Sequence, residues 1–253
     1  MSRKTDLRRQ HGAERPAAAP RPVSRLGASR FVALRFVALR FLVLPLLGWL
    51  LLSGGVQGAA AAEPVAYTLV PEQSQVVAVL RREGALSVLA HDHVLVARHL
   101  DATLQVALTD LERSTAELSL KVADLMVDAS ADRRAAGLAD SLEDDSRAEI
   151  RDTMLSDAGL DAARFPEIRM RLLRARGAPS EADLTVVLRI HGVEKEYSVF
   201  ATVLPLGERI RIRGTFELLQ SDHGIRPYTA LLGAIAVEDR VTVTFDLVAE
   251  RSR

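Results

Sequence analysis

The stretch DLTVVLRIHGVEKEYSVF, residues 183–200, decides the fold. Its Gly192 is interpreted as a turn residue that follows a strand, because glycine is the residue that tight turns favour. Upstream, the pair Phe165-Pro166 marks a chain reversal before another strand. Proline fixes its own φ and pushes the preceding residue towards extended geometry. The stretch therefore predicts strands joined by short turns.

An apolar residue at every second position is the dominant pattern of the chain beyond residue 63. This period of two is typical of strands that bury one face. Four segments show it best, with inward candidates at Ala116, Leu118, Leu120 and Val122, at Ile168, Met170 and Leu172, at Ile210 and Ile212, and at Val241, Val243, Phe245 and Leu247. Such a run of strands excludes the regular alternation of strand and helix in a parallel sheet.

One helix is predicted, from about Ala139 to Gly159, where the chain is rich in Asp, Glu, Ala and Arg and lacks proline. Ser141 is the expected N-cap and Gly159 the expected stop. The acidic residues 143–152 predict a solvated helix face. A cation site built from them would lack the spaced oxygen ligands and the glycine turn of a calcium loop.

Strands with a single helical interruption predict an all-β fold with one short helical insertion, either an antiparallel barrel or a sandwich. Closing a sheet into a barrel removes its exposed edges. Barrels of about eight strands either fill their interior with side chains or hold one small ligand. The residue pattern alone leaves these two options open.

Four segments resemble the YceI-like family, in the family's order. They are Tyr67 to Val76, an opening strand; Phe165 to Met170, a strand entry; Asp183 to Lys195, a strand and turn; and Ser221 to Ile225, a late turn. The resemblance spans about Tyr67 to Glu250. It implies an exported antiparallel β-barrel of lipocalin-like shape that holds a long apolar molecule, a polyisoprenoid or related lipid. The chain departs from the family at Leu155 to Phe165, which lacks the usual aromatic-rich helix entry, and at His223, where Phe is common.

Residues 1–62 have the composition of a targeting region. Ten basic residues in the first forty precede an apolar run at 41–52 and a small-residue stretch that ends at Ala62. This order is typical of a secretory signal peptide and predicts a periplasmic protein. The alternative is an uncleaved signal anchor, because no charge interrupts residues 41–62 and that length could span a bilayer.

The remaining residues, 63–253, are long enough for one domain with a sizeable core. Residues 1–62 hold ten basic and two acidic side chains, so their removal leaves 23 basic against 31 acidic residues, a net charge of −8. Such a domain is a poor candidate for binding nucleic acid, which depends on neutralising phosphates. The chain has no cysteine, which excludes disulfides and thiolate metal sites.

Candidate ligand contacts fall into two groups. The predicted cavity wall consists of Leu118, Leu120, Ile210, Ile212 and Phe216. The domain has few aromatic residues, and walls of aliphatic side chains suit a long aliphatic ligand. The predicted polar mouth consists of His91, His93, Asp222 and His223. Because residues i and i+2 of a strand share a face, His91 and His93 could instead bind a metal, with His191 and the Asp222-His223 pair completing the site.

No enzyme signature stands out in the chain. It lacks cysteine, a Gly-x-Ser-x-Gly elbow and a glycine-rich phosphate loop. The sequence with its family resemblance therefore predicts a noncatalytic periplasmic carrier whose partner is a polyisoprenoid, quinone-like or fatty lipid. It predicts no cofactor beyond that lipid, no nucleic acid, no stable membrane span in the mature form, and leaves a homodimer open. The alternative function is a metal-binding or redox-linked periplasmic protein that uses its histidines.

Overall fold

The computed structural model describes residues 63–253. The predicted targeting region, residues 1–62 with its apolar run 41–52, lies outside the described residues and stays a prediction. Besides six short 3₁₀ helices, the described part has twelve strands and two α-helices. They are β1 (Val65–Leu69), β2 (Gln75–Glu83), β3 (His93–Ala97), β4 (Asp101–Val106), β5 (Thr115–Lys121), β6 (Met126–Val127), α1 (Ser130–Ala135), α2 (Asp144–Leu155), β7 (Glu167–Ala178), β8 (Glu181–Ile190), β9 (Val193–Leu206), β10 (Arg209–Leu219), β11 (Thr229–Ala230) and β12 (Ile235–Arg251).

Eight of these strands close into an antiparallel barrel in the order β1, β4, β5, β7, β8, β9, β10, β12 and back to β1. Strand β12 pairs with β10 along one side. Its other side pairs first with β2 and then, near the carboxyl end, with β1. Strands β3 and β6 extend the sheet beyond β2. The prediction of an all-β, lipocalin-like barrel is confirmed.

The strand register assigns the predicted faces. Leu118 and Leu120 of β5 lie opposite Met170 and Ile168 of β7, and the alternate residues of both strands point outwards. On β10, Ile212 lies opposite Leu247 of β12. Apolar residues at every second position therefore line the inside of the barrel, as the period of two predicts.

The turn at Gly192 joins β8 to β9 through two residues, between the paired Ile190 and Val193. Both turn residues have positive φ, 50° at His191 and 78° at Gly192. A two-residue hairpin turn of this kind matches the twist of the strands it joins. A Cβ at Gly192 would lie 2.6 Å from Cε1 of Phe165, so glycine is required by packing as well as by conformation.

The single predicted helix, residues 139–159, is wrong in its extent. Two helices form instead, and the second begins at Asp144 rather than near Ala139. Arg147 donates hydrogen bonds to the Asp140 carboxylate and to the Leu142 carbonyl, which holds the preceding segment outside the helix together with the predicted cap, Ser141. The helix ends at Leu155, and Gly159 lies in the turn that follows.

The acidic stretch, residues 143–152, forms an exposed face of α2 as predicted. Helix α2 contacts β6 on the outside of the sheet extension. Its last turn and the loop after it, residues 153–160, reach the barrel interior. No helix within residues 63–253 has the length and apolarity needed to cross a bilayer.

Candidate functional site

An apolar cavity of about 330 Å³ lies inside the barrel. Aliphatic side chains from nine strands, β2 to β5, β7 to β10 and β12, supply most of its lining. Its volume falls within the range of about 300–1,000 Å³ that is typical of small-molecule pockets. The barrel is therefore not filled by its own side chains.

Four of the five predicted wall residues line this cavity, namely Leu118, Leu120, Ile212 and Phe216. Ile210 does not. It is 0% exposed and packs into the core around Ala249, its partner on β12. The alternation along β10 correctly predicts that Ile210 points inwards. Its side chain lies in the part of the barrel that is filled by packed side chains.

Gly214 shapes the wall between Ile212 and Phe216. A Cβ at this position would lie 2.4 Å from Cζ of Phe245, whose side chain lines the cavity. Gly214 is opposite Phe245 in the register of β10 and β12. The missing side chain makes room for the phenyl ring, so a glycine inside a strand here reflects a close approach.

The cavity opens at the end of the barrel where β10 ends and β12 begins. Gln220, His223, Arg226 and Tyr228 from the intervening segment line it there. Arg226 and Tyr228 are also exposed to solvent, which places them at the opening. Residues 153–160, after and within the last turn of α2, contribute to the lining as well.

His223 is the one residue of the predicted polar mouth that lines the cavity. It is 0% exposed. Its Nδ1 lies 3.1 Å from the Val193 carbonyl and its Nε2 lies 2.9 Å from the Tyr197 hydroxyl. Because a carbonyl only accepts, Nδ1 carries the proton and Nε2 accepts from the tyrosine. Burial lowers the pKa of His223 and raises the pKa of Tyr197 to about 12, so both groups are neutral at pH 7.

Asp222, beside it, is half-exposed and lies outside the lining. Its carboxylate is 3.7 Å from the Lys195 ammonium on β9. The His191 ring contacts Phe165 at a tilt of 59°, with ring centroids 4.4 Å apart, and its Nδ1 is 3.3 Å from the His223 carbonyl. The side chains of Asp222 and His191 are therefore engaged by other residues of the protein.

His93 belongs to a buried charged network rather than to the cavity mouth. Its Nδ1 is 2.6 Å from the carboxylate of Asp128, which is 0% exposed. The other carboxylate oxygen of Asp128 accepts from the Val94 amide at 3.0 Å and from the Arg133 guanidinium at 2.7 Å. Burial alone would raise the pKa of Asp128, but these hydrogen bonds outweigh it and lower the pKa.

Arg133 completes the network from α1. It is 2% exposed, and it also donates to the carbonyls of Asp92 and Ala139. Neither His93 nor the exposed His91 lines the cavity, so the structure contradicts their placement at the mouth. Side chains of β3 that follow His93 are buried on both faces, and the unbroken apolar run Val94 to Ala97 is the sequence signal for this.

The histidines do not gather into a metal-binding group. Residues 63–253 contain no cluster of three or more His, Asp, Glu or Cys side chains placed to hold a metal ion. Asp92, between the two histidines, accepts instead from the Arg82 amide at 2.9 Å and from the Arg81 guanidinium at 3.0 Å. These hydrogen bonds fix the start of β3 against the end of β2.

The fold and the apolar cavity inside it define a lipocalin-like barrel. The YceI-like domain profile matches residues 67–249, so the chain belongs to the YceI-like family. Members of this family bind small hydrophobic ligands.

Among solved structures, BcnA of Burkholderia cenocepacia is similar at 17% identity with a TM-score of 0.54, covering 72% of this chain and 99% of BcnA. The YceI protein of Campylobacter jejuni is similar at 12% identity with a TM-score of 0.47, covering 61% of this chain and 82% of that protein. No curated protein sequence matches the chain. At these identities the likeness to BcnA is evidence for the fold alone.

Proposed function

We propose that the protein is a noncatalytic carrier that holds a long apolar lipid inside its barrel. A polyisoprenoid, a quinone-like molecule or a fatty amphiphile would fit this class. The observation that carries the proposal is the cavity of about 330 Å³ inside the barrel, whose lining is mainly aliphatic. Membership of a family that binds small hydrophobic ligands supports it.

The lining favours a ligand with a long aliphatic chain. Each methylene that leaves water contributes about 0.8 kcal/mol, so ten contribute roughly 8 kcal/mol. Association costs about 4–15 kcal/mol. A short chain would therefore bind weakly and a longer one tightly. Walls such as Leu118 and Ile212 offer dispersion contacts and few hydrogen bonds, so chain length and apolarity would dominate selection.

Extraction of the native protein tests the proposal directly. We expect protein purified without detergent to release a lipid into organic solvent, detectable by mass spectrometry. The emptied protein should bind N-phenyl-1-naphthylamine, a neutral apolar dye, and the extracted lipid should displace it. Absence of both lipid and dye binding would refute the proposal.

We also propose that the carrier works in the periplasm, on the basis of the signal-like residues 1–62. Expressed in a Gram-negative host, it should be recovered from the periplasm with an amino terminus close to Ala62 or Glu63. Recovery of the full-length chain solely from the membrane fraction would favour the signal anchor instead.

A metal-binding or redox-linked role is the competing proposal and would need His91, His93 and His223. A metal that binds only the native state raises its melting temperature by mass action. Stoichiometric zinc or copper in the purified protein, with a melting temperature that a chelator lowers, would favour this role over the lipid carrier.

A further inference from the structure

The charge inside the cavity is concentrated in one residue. Of all the side chains that line it, Arg226 is the only one with a full charge at neutral pH, and no Asp or Glu lines the cavity. His223 also lines it but is neutral, since burial lowers its pKa. An arginine at the opening of an otherwise uncharged cavity marks the end at which a ligand's polar group would lie.

Arg226 makes no hydrogen bond or ion pair with any residue in the described range 63–253. Several other arginines of the barrel are paired, as Arg211 is with Asp246 and Arg240 is with Glu217. Arg171, Arg174 and Arg189 have no ion pair within this range either, but they do not line the cavity. The nearby acidic side chains have other partners. Asp222 faces Lys195, and Asp239 accepts from the amide and hydroxyl of Ser221.

The backbone around Arg226 is held in place on both sides. The amide of Ile225 donates to the Gln220 carbonyl at 3.1 Å, and the Tyr228 carbonyl accepts from the Val237 amide at 3.0 Å. Pro227 between them restricts φ further. Ile225 is buried and lines the cavity, so the segment passes from the interior to the rim at Arg226.

Tyr228 adds a second polar group to the same rim. It lines the cavity, is 57% exposed, and its hydroxyl has no partner within residues 63–253. Gln220, by contrast, already donates from its side chain to the Glu238 carbonyl. The rim therefore presents one guanidinium and one hydroxyl that are both available to a ligand.

We propose that Arg226 and Tyr228 bind the anionic headgroup, a carboxylate or a phosphate, of an amphiphile whose apolar tail occupies the cavity. The inference rests on the proposed carrier function. The guanidinium fork matches the oxygen pairs of both groups. Because no other lining residue is charged at neutral pH, a neutral lipid of equal length leaves Arg226 without a partner, and the anionic lipid is preferred.

The test measures displacement of N-phenyl-1-naphthylamine by three sixteen-carbon ligands: hexadecanoic acid, hexadecyl phosphate and hexadecanol. The proteins compared are the wild type, Arg226→Gln and Arg226→Lys. Arg189→Gln is the matched control, because Arg189 is an exposed arginine of β8 that does not line the cavity.

We expect Arg226→Gln to weaken binding of the anionic ligand about five- to tenfold, in line with a partly exposed charge-assisted contact. Hexadecanol should bind it as before, and Arg226→Lys should retain part of the preference. Raising the salt concentration should shrink the wild-type preference, since ions screen an exposed charge. The acid and the phosphate are scored separately, so the stronger of the two identifies the headgroup.

Two results would overturn the inference while leaving the carrier function intact. One is equal affinity of the wild type for hexadecanol and both anions, and the other is an equal loss for all three ligands in Arg226→Gln. Failure of the wild type to bind any of the ligands or the dye would instead remove the carrier function, and the headgroup site with it.

Discussion

Placing a carboxylate on the cavity wall tests the barrel and its cavity together. Leu120 is 7% exposed, lines the cavity and lies opposite Ile168 in the register of β5 and β7. The change Leu120→Glu keeps a side chain of similar length and puts an ionisable group where no acidic residue lies. The neighbouring Lys121 is exposed on the outer face, so Lys121→Glu is the matched control.

The expected cost has two parts. Loss of the buried leucine side chain removes about 1.5–3 kcal/mol of transfer free energy. A glutamate that stays neutral at pH 7 pays about 1.36 kcal/mol for each pH unit above its ordinary pKa near 4.3, or roughly 4 kcal/mol. The sum of about 5–7 kcal/mol approaches the whole stability of a typical domain, about 5–15 kcal/mol.

The second part of this cost depends on pH. Burial raises the pKa of the new carboxyl in the folded state, so the unfolded state binds its proton less readily. The destabilisation is therefore smallest near pH 4 and grows as the pH rises towards 7.

Thermal melting of both variants beside the wild type, at pH 4.5 and pH 7, measures this cost, and dye titration measures the cavity. We expect Leu120→Glu to melt far below the wild type at pH 7, to recover part of the difference at pH 4.5, and to lose dye binding. Lys121→Glu should keep the wild-type dye affinity and melt only slightly below the wild type, because the new carboxylate lies opposite Glu167 on β7. If Leu120→Glu kept the wild-type melting temperature and dye affinity at pH 7, the placement of Leu120 on the cavity wall would be refuted.

Three further predictions concern the buried polar groups. Arg133→Met leaves Asp128 buried without its guanidinium and should lower the free energy of unfolding by about 3–5 kcal/mol in urea titration; an unchanged midpoint would contradict this. Exchanging both His91 and His93 for Gln should leave metal content at background by elemental analysis but cost about 1–3 kcal/mol, because Asp128 loses its hydrogen bond from His93; an unchanged free energy of unfolding would contradict this. Since the pKa of His223 is lowered in the folded state, protonation favours the unfolded chain, and the wild-type melting temperature should fall as the pH drops below about 6.5. The pKa of Asp128 is also lowered, so its contribution to stability persists until the pH falls below about 4. A melting temperature that is flat between pH 7 and pH 5 would contradict the His223 part.

Strand alternation and turn residues could be predicted from the sequence with good accuracy. The inward faces of Leu118, Leu120, Ile212 and Phe216 follow from a period of two, which each strand carries in its own residues. The turn at Gly192 follows likewise, because positive φ is a local demand. Such features need no knowledge of which strands pair.

The ends of the helices, and which inward-facing side chains reach the cavity, could not be predicted in the same way. Nothing in residues 139–159 reveals that Arg147 holds Asp140 and Leu142 outside the helix. Ile210 shares the alternation of Ile212, yet it packs against Ala249 in the closed part of the barrel. Alternation assigns a side chain to a face, whereas its distance from the cavity depends on how the barrel closes.

By itself, the sequence determined that the chain beyond residue 63 forms antiparallel strands with apolar inner faces, and its motifs indicated the family. Only the tertiary structure decided that His93 meets Asp128, 35 positions along the chain, and that Arg226 stands unpaired at the cavity opening. The physical reason is the separation along the chain of the residues that interact. Periodicity and turn geometry are set by neighbouring residues, while buried ion pairs and cavity openings arise where segments distant in sequence are brought together by barrel closure.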